Sequence, residues 1–350
     1  MMAFCVFPAA SCSDDDEDST ILTPADSTGM TDNDSIPTDS VPSDSVLDDS
    51  IPTDSIITDS IPVTEPARLD SMELYCYKGV QKIYGILYNK VKKGEKAPAV
   101  ILSHSSSLTH EAMRGYARAI ADRGMVAYCF DFCGGSDKSK SDGLTDSMTV
   151  FTEVDDLKAV LGDIRKLDIV NPDSIYLMGS SQGGLVSALV AEEKKEEVCG
   201  MILFYPAFNI PELVSQILDM MSQYPGLGGG FGGGFGGMSM NTHYMNSIKD
   251  YDVWSHIGQF RKPILICHGT NDIIVNISYS EKAVGIYGGN ATLERIQGAN
   301  HGFNEANLTM DFGFGDFGGW GGMGGMGGTS ATTANYDNVV LPLVYRFLNR

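Results

Sequence analysis

The chain has 350 residues, with 24 Lys and Arg against 45 Asp and Glu, for a formal net charge of −21. The imbalance is local, since residues 1–70 hold 16 of the acids and only the base Arg68, whereas 71–350 is close to ordinary. No basic patch is available to neutralise phosphates, which excludes nucleic acid as a partner. No apolar run reaches the roughly 18 residues of a membrane-spanning helix.

Met1–Ala10 is short and apolar, and the small residues Ala9, Ala10 and Ser11 run straight into Cys12. Residues 1–12 resemble the end of a secretory signal with a lipoprotein-type cleavage site. The resemblance implies a lipidated Cys12 as the mature N-terminus. The charged segment that opens such signals is not among these residues, so a start further upstream is expected. Asp14–Asp18 are all acidic, and resemble the tether that sends certain Gram-negative lipoproteins to the cell surface. Negative charge there keeps the tether off anionic headgroups. The expectation is an exported protein held at the outer membrane by its lipid alone. Residues 34–63 then repeat a five-residue unit six times, from DSIPT to DSIPV. An apolar residue at every fifth position suits neither a helix nor a strand face. Proline in four of the six copies favours extended chain. Residues 13–70 therefore read as a disordered stalk of up to about 3 Å per residue. Its Asp-Ser-Ile and Asp-Ser-Val triplets resemble bacterial O-glycosylation acceptors, and a bare linker is the other reading.

From Ser71 the pattern becomes regular. MELYCY and KIYGILY read as an antiparallel hairpin. AVILSH (99–104) is a buried strand, and Thr109 is placed as the cap of a helix running to about Arg123. MVAYCFDF (125–132) is the next strand. Val150, Val154, Leu157, Leu161 and Ile164 step as one helix face. Strand IYLMG (175–179) leads to a small-residue helix, Leu185–Ala191. Strands follow at 201–205, 263–269 and 292–296, with an apolar helix at Pro211–Met221 and a closing helix at 335–349. Continuous apolar strands alternating with helices predict an α/β domain over 71–350. Its sheet is mostly parallel, of about eight strands, with helices on both faces. In such sheets the reactive residues lie past the carboxyl ends of strands.

At that end of IYLMG stands Gly179-Ser180-Ser181-Gln182-Gly183, a G-x-S-x-G string between a strand and a helix. A serine on a sharp strand-to-helix turn is exposed for attack, and the Gln182 N–H opening the helix faces the same space. A serine hydroxyl needs a base, and the base an orienting acid. Asp272 follows strand 263–269, and His301 follows strand 292–296. The predicted catalytic set is Ser181, Asp272 and His301, with Gln182 in the oxyanion hole.

Residues 72–350, apart from two glycine tracts, resemble the α/β-hydrolase superfamily, in particular bacterial feruloyl (cinnamoyl) esterases and related serine carboxylesterases. AYCFDFCGGSDKSKSDG, MTVFTEVDDLKAV, IYLMGSSQGG, YDVWSHIGQFRKPILICHGTNDIIV and LERIQGANHGF carry the likeness. It implies Ser181 as nucleophile, His301 as general base and acid, Asp272 as its orienting carboxylate, and no cofactor. The partner implied is a small-molecule or glycan-linked ester. The likeness also maps the first oxyanion donor onto Ser106, where such esterases have His-Gly-x and this chain has His104-Ser105-Ser106. A hydroxyl there adds a donor or merely caps the loop. A peptidase or acyl-peptide hydrolase shares the same triad, and an inactive surface protein binding glycan or peptide is the rival outside enzymes. Acyl and alcohol specificity and oligomeric state are not legible.

Residues 206–262 form a cap insertion with one glycine tract (226–237), and 311–330 a second insertion with another (313–328). These read either as a mobile lid using Phe231, Phe235, Phe314, Phe317, Trp320, Met323 and Met326, or as low-complexity loops without a role. Cys76, Cys129, Cys133, Cys199 and Cys267 read as free thiols, and no zinc-ligand spacing occurs. His104 and His110 read as structural loop residues, and His243 and His256 as exposed or packing.

Overall fold

A computed structural model describes residues 69–223, 241–303 and 336–350. Cys12, nearly all of the 13–70 stalk, both glycine tracts and the 311–330 insertion lie outside the described residues.

The hairpin forms as β1 (Asp70–Lys78) and β2 (Gln81–Asn89), paired antiparallel with Tyr75 opposite Tyr84. Six strands follow: β3 (Ala97–Ser103), β4 (Val126–Phe130), β5 (Val170–Ser180), β6 (Gly200–Phe204), β7 (Ile264–Gly269) and β8 (Ala291–Ile296). They make one sheet in the order β1-β2-β4-β3-β5-β6-β7-β8. All pairings from β4 to β8 are parallel, and β2 joins β4 antiparallel.

Period-two alternation divides each central strand between two cores. Ala99, Ile101, Leu177, Met201, Leu203, Ile264 and Ile266 face one cluster. Val100, Leu102, Met178, Ile202, Phe204, Leu265 and Cys267 face the other. The first cluster is closed by α2 (Val150–Ile164), α3 (Gln182–Glu193), α4 (Ile210–Gln223), α5 (Thr242–Ile248) and α6 (Ser278–Tyr287). The second is closed by α1 (Arg114–Ala121) and α7 (Leu341–Leu348). All five stripe residues of α2 are buried, each stabilising by about 1.5–3 kcal/mol.

Local departures from the sequence reading have local causes. Thr109 makes no side-chain cap; a 3₁₀ turn at His110–Ala112 comes first, and α1 starts only at Arg114. A side-chain cap occurs instead on a different helix, where Thr149 exchanges hydrogen bonds with Thr152 at the start of α2. Helices α5 and α6 were not predicted, because neither carries a long apolar period. Cys76, Cys129, Cys133 and Cys267 are buried free thiols, with Cys199 half-buried.

Candidate active site

Strand β5 runs into α3 through Ser181, whose backbone stands at φ 51°, ψ −118°. That region is costly for a residue with a Cβ, about 1–3 kcal/mol, and persists only where the surroundings enforce it. They do so through hydrogen bonds on both sides of the peptide. Ser181 N–H donates to Phe204 O at 2.9 Å, and Ser181 O accepts from Ala207 N at 3.0 Å. The flanking glycines are required by crowding. A Cβ on Gly179 would strike the Gly183 carbonyl, and one on Gly183 would meet the Ser103 carbonyl oxygen at 2.6 Å and that of His104 closer still.

Asp272 and His301 lie just past the ends of β7 and β8. His301 Nδ1 donates to Asp272 Oδ2 at 2.8 Å, because a carboxylate can only accept. Its Nε2 then presents a lone pair, and the Ser181 hydroxyl lies 3.0 Å away. Asp272 Oδ1 also accepts from the N–H groups of Ile274 and Val275, both at 2.9 Å. Burial works against the Asp272 charge, but hydrogen bonds from His268 and His301 outweigh it and hold the carboxyl well below the usual range.

His268 on β7 is a second histidine at this carboxylate, and sequence reasoning missed it. It is fully buried, with Nε2 2.8 Å from Val275 O and 3.2 Å from Asp272 Oδ2. Two acceptors require Nε2 to carry hydrogen, and Nδ1 meets the Ser280 hydroxyl at 2.7 Å. Tyr205, also unpredicted, has φ 35° and a ring 4.4 Å from that of His301, centroid to centroid. It follows β6, paired next to β5 in the sheet. Neither residue belongs to a local string that marks it out.

The turn after β3 holds Ser106. Ser103 pairs with Gly179 across β3 and β5, so this turn adjoins the bend at Ser181. Ser105 O accepts from Leu108 N at 3.2 Å and from His104 Nδ1 at 2.7 Å. His104 Nε2 accepts from Phe132 N at 3.2 Å, which fixes the proton on Nδ1. Burial pushes the His104 pKa down, in keeping with a neutral ring. In a trans peptide the N–H opposes the carbonyl, so the Ser106 N–H points away from His104. The Ser105 hydroxyl lies 2.9 Å from Ser180 Oγ, so it caps the turn against β5. Gln182 is the first residue of α3, where N–H groups lack an intrahelical acceptor. His110 binds Asp131 through its ring and its N–H, both at 2.7 Å, and is structural as expected. His243 and His256 are exposed.

A family model, Hydrolase_4: Serine aminopeptidase, S33, matches residues 94–227. Est1E from Butyrivibrio proteoclasticus, solved with ferulic acid bound, superposes with a TM-score of 0.55 at 23% identity, covering 67% of this chain and 92% of that one. An esterase of Pyrococcus furiosus gives 0.56 at 17% identity, covering 81% and 91%. The fold is that of the α/β-hydrolases. Proline iminopeptidase of Thermoplasma volcanium is 24% identical over 193 residues, covering 54% of this chain and 56% of that protein. The alignment therefore spans about half of that relative's length. Solved esterases thus share the fold of this domain, and a peptidase is similar to part of it.

Proposed function

We propose that this domain is a serine hydrolase that cleaves carboxylic esters through an acyl-enzyme on Ser181. One observation carries the reading: the continuous hydrogen-bonded line from Asp272 Oδ2 through both nitrogens of His301 to Ser181 Oγ. In this mechanism Ser181 Oγ attacks the acyl carbon as its proton passes to His301 Nε2. Negative charge develops on the carbonyl oxygen, with the backbone N–H groups of Gln182 and Ser106 as its donors. Asp272 stabilises the imidazolium without taking its proton. The alkoxide leaves with the proton from His301. Water, deprotonated by the same ring, then attacks the acyl carbon, frees the acid and restores Ser181.

A second reading, a peptidase acting on amide or aminoacyl substrates, is favoured by the iminopeptidase relative and by the family description. The test uses the full chain with a fluorophosphonate probe, followed by acetyl, butyryl, feruloyl and aminoacyl substrates. Ser181→Ala is expected to lose all labelling and to keep less than about one percent of turnover with unchanged thermal unfolding. Labelling that survives Ser181→Ala removes the proposal, and turnover of aminoacyl amides above that of esters moves it to the second reading.

On the sequence evidence of residues 1–70 we also propose that the domain is exported and anchored by lipid on Cys12 at the outer membrane. Cys12→Ala in the full-length chain abolishes fatty-acid labelling on this reading, and unchanged labelling refutes it.

A further inference from the structure

The Gln182 side chain is 1% exposed and held at both ends. Its Nε2 donates to Glu153 Oε2 at 2.8 Å, and its Oε1 accepts from the Tyr244 hydroxyl at 2.7 Å. The partners come from α2 and α5, 29 and 62 residues away in sequence. Each is itself only 1% exposed. The Gln182 amide nitrogen finds an acceptor and its oxygen a donor, so a flip would break both bonds. Both ends of the Gln182 amide are thus satisfied, which restricts that side chain.

The cost of this arrangement points to a use. A buried carboxyl is expensive, and an apolar residue at 153 would pack α2 more cheaply. Burial pushes Glu153 up to about 8, with the Gln182 hydrogen bond working the other way. No cation pairs with Glu153 among the described residues. The nearest acid, Asp156 one turn along α2, takes Lys78 of β1 at 2.5 Å and the Cys133 N–H at 2.8 Å. In the loop after β4, a Cβ on Gly135 would stand 3.5 Å from Glu153 Oε1, which has no hydrogen-bond partner among the described residues. Gln182 from α3 and Tyr244 from α5 complete the groups that surround this carboxyl.

We propose that Glu153 and Tyr244 are positioning residues, which grip the Gln182 side chain from behind and so fix the direction of its backbone N–H toward the oxyanion. The inference rests on the acyl-enzyme reading of Ser181. The first residue of a helix lacks the i−4 hydrogen bond that orients later N–H groups, and the side-chain clamp supplies that constraint. An N–H that matters only when charge develops acts on kcat and leaves KM in place. Ionised Glu153 would set an unpaired negative charge behind the oxyanion and lower kcat as the pH rises through about 8.

The experiment measures kcat and KM for acetyl ester hydrolysis from about pH 6 to about pH 10, using the full chain. It compares wild type, Glu153→Leu, Glu153→Gln and Tyr244→Phe. Glu153→Leu should lose roughly tenfold in kcat and Tyr244→Phe roughly threefold, with KM within about twofold. Glu153→Gln retains an acceptor for Gln182 Nε2 but cannot ionise. It should keep wild-type kcat at neutral pH and lose the alkaline decline. Wild-type kcat in both Glu153→Leu and Tyr244→Phe overturns the clamp, as does an alkaline decline that persists in Glu153→Gln. If Glu153→Leu fails to fold, the other two variants decide on the same criteria. Fluorophosphonate labelling separates the two levels: a labelled wild type with unaffected variants removes only the clamp, whereas an unlabelled, inactive wild type removes the Ser181 reading and the clamp with it.

Discussion

The two backbone donors proposed for the oxyanion come from regions that share a positive φ, at Ser181 and at Ser107, but are held by different kinds of contact. Around Ser181 the main chain takes a positive φ between two crowded glycines, Phe204 and Ala207 hold the bend, and Glu153 and Tyr244 grip the Gln182 side chain. Around Ser106 the turn also contains a positive φ, at Ser107, and the Ser105 carbonyl is held by one neutral histidine and by the Leu108 N–H, with the Ser105 hydroxyl on Ser180. The first region carries a contiguous G-x-S-x-G string, but its holders come from Glu153, Phe204, Ala207 and Tyr244. The second requires His104 to meet Phe132, which is 28 residues away. The bend at Ser181 is thus held mainly through its backbone, by main-chain partners, whereas the turn at Ser106 leans on the ring and hydroxyl of side chains.

The sharpest way to break this contrast is at Gly183, where the regions touch. A methyl group there meets the carbonyls of Ser103 and His104, which are backbone and cannot move aside. Gly183→Ala is expected to lower Tm by several degrees, an overpacking cost of roughly 1–3 kcal/mol. It should also cut kcat by about a hundredfold or more. Differential scanning fluorimetry and ester kinetics check both, and a wild-type Tm would mean that the close approach is not needed.

His104→Ala comes next. It frees the Ser105–Ser106 peptide to rotate and should reduce kcat by roughly 10–100-fold with KM little changed, as for loss of part of one donor. Its pH signature has a defined sign. The folded pKa of His104 is lowered, so below about 6.5 the unfolded chain binds a proton that the folded one resists. Stability is then lost as the pH falls from that value, and His104→Ala should flatten this limb in urea melts at different pH.

The smallest effect is expected for Ser105→Gly, which restores the residue usual in the esterases this chain resembles. The Ser105 hydroxyl bonds Ser180, and its loss should cost about 1 kcal/mol of stability. Catalytic efficiency should stay within about threefold. A larger loss would show that the hydroxyl itself serves the reaction.

Ser181, Asp272 and His301 were legible because each sits immediately past a strand, and strands reveal themselves by short apolar runs. The stripe of α2 was legible because its period is helical. His268 was not, since a histidine ending an apolar run has no pattern separating it from a packed core residue. Its role comes from Asp272, Val275 and Ser280, which only the fold brings to it. Glu153 and Tyr244 were missed for the same reason. Glu153 reads as one more charge on a helix, and the short α5 gives no signal that its tyrosine is buried. Thr109 was misread as a cap because its position before an apolar period fits, whereas the chain spends His110–Ala112 on a tight turn first.

The sheet order carries a consequence of its own. From β3 the chain steps outward to β4, then returns to lay β5 on the other side of β3. The connections leaving the carboxyl ends of β3 and β5 therefore depart in opposite directions, and a crevice opens between them without any side chain having to make it. Ser181 and the turn of Ser106 stand on its two banks. Because topology creates this opening, the loops around it are free to lengthen, shorten or change composition while Ser181 keeps its place. Divergence in what such a domain accepts can thus proceed at the rim, one connection at a time, with the chemistry left undisturbed.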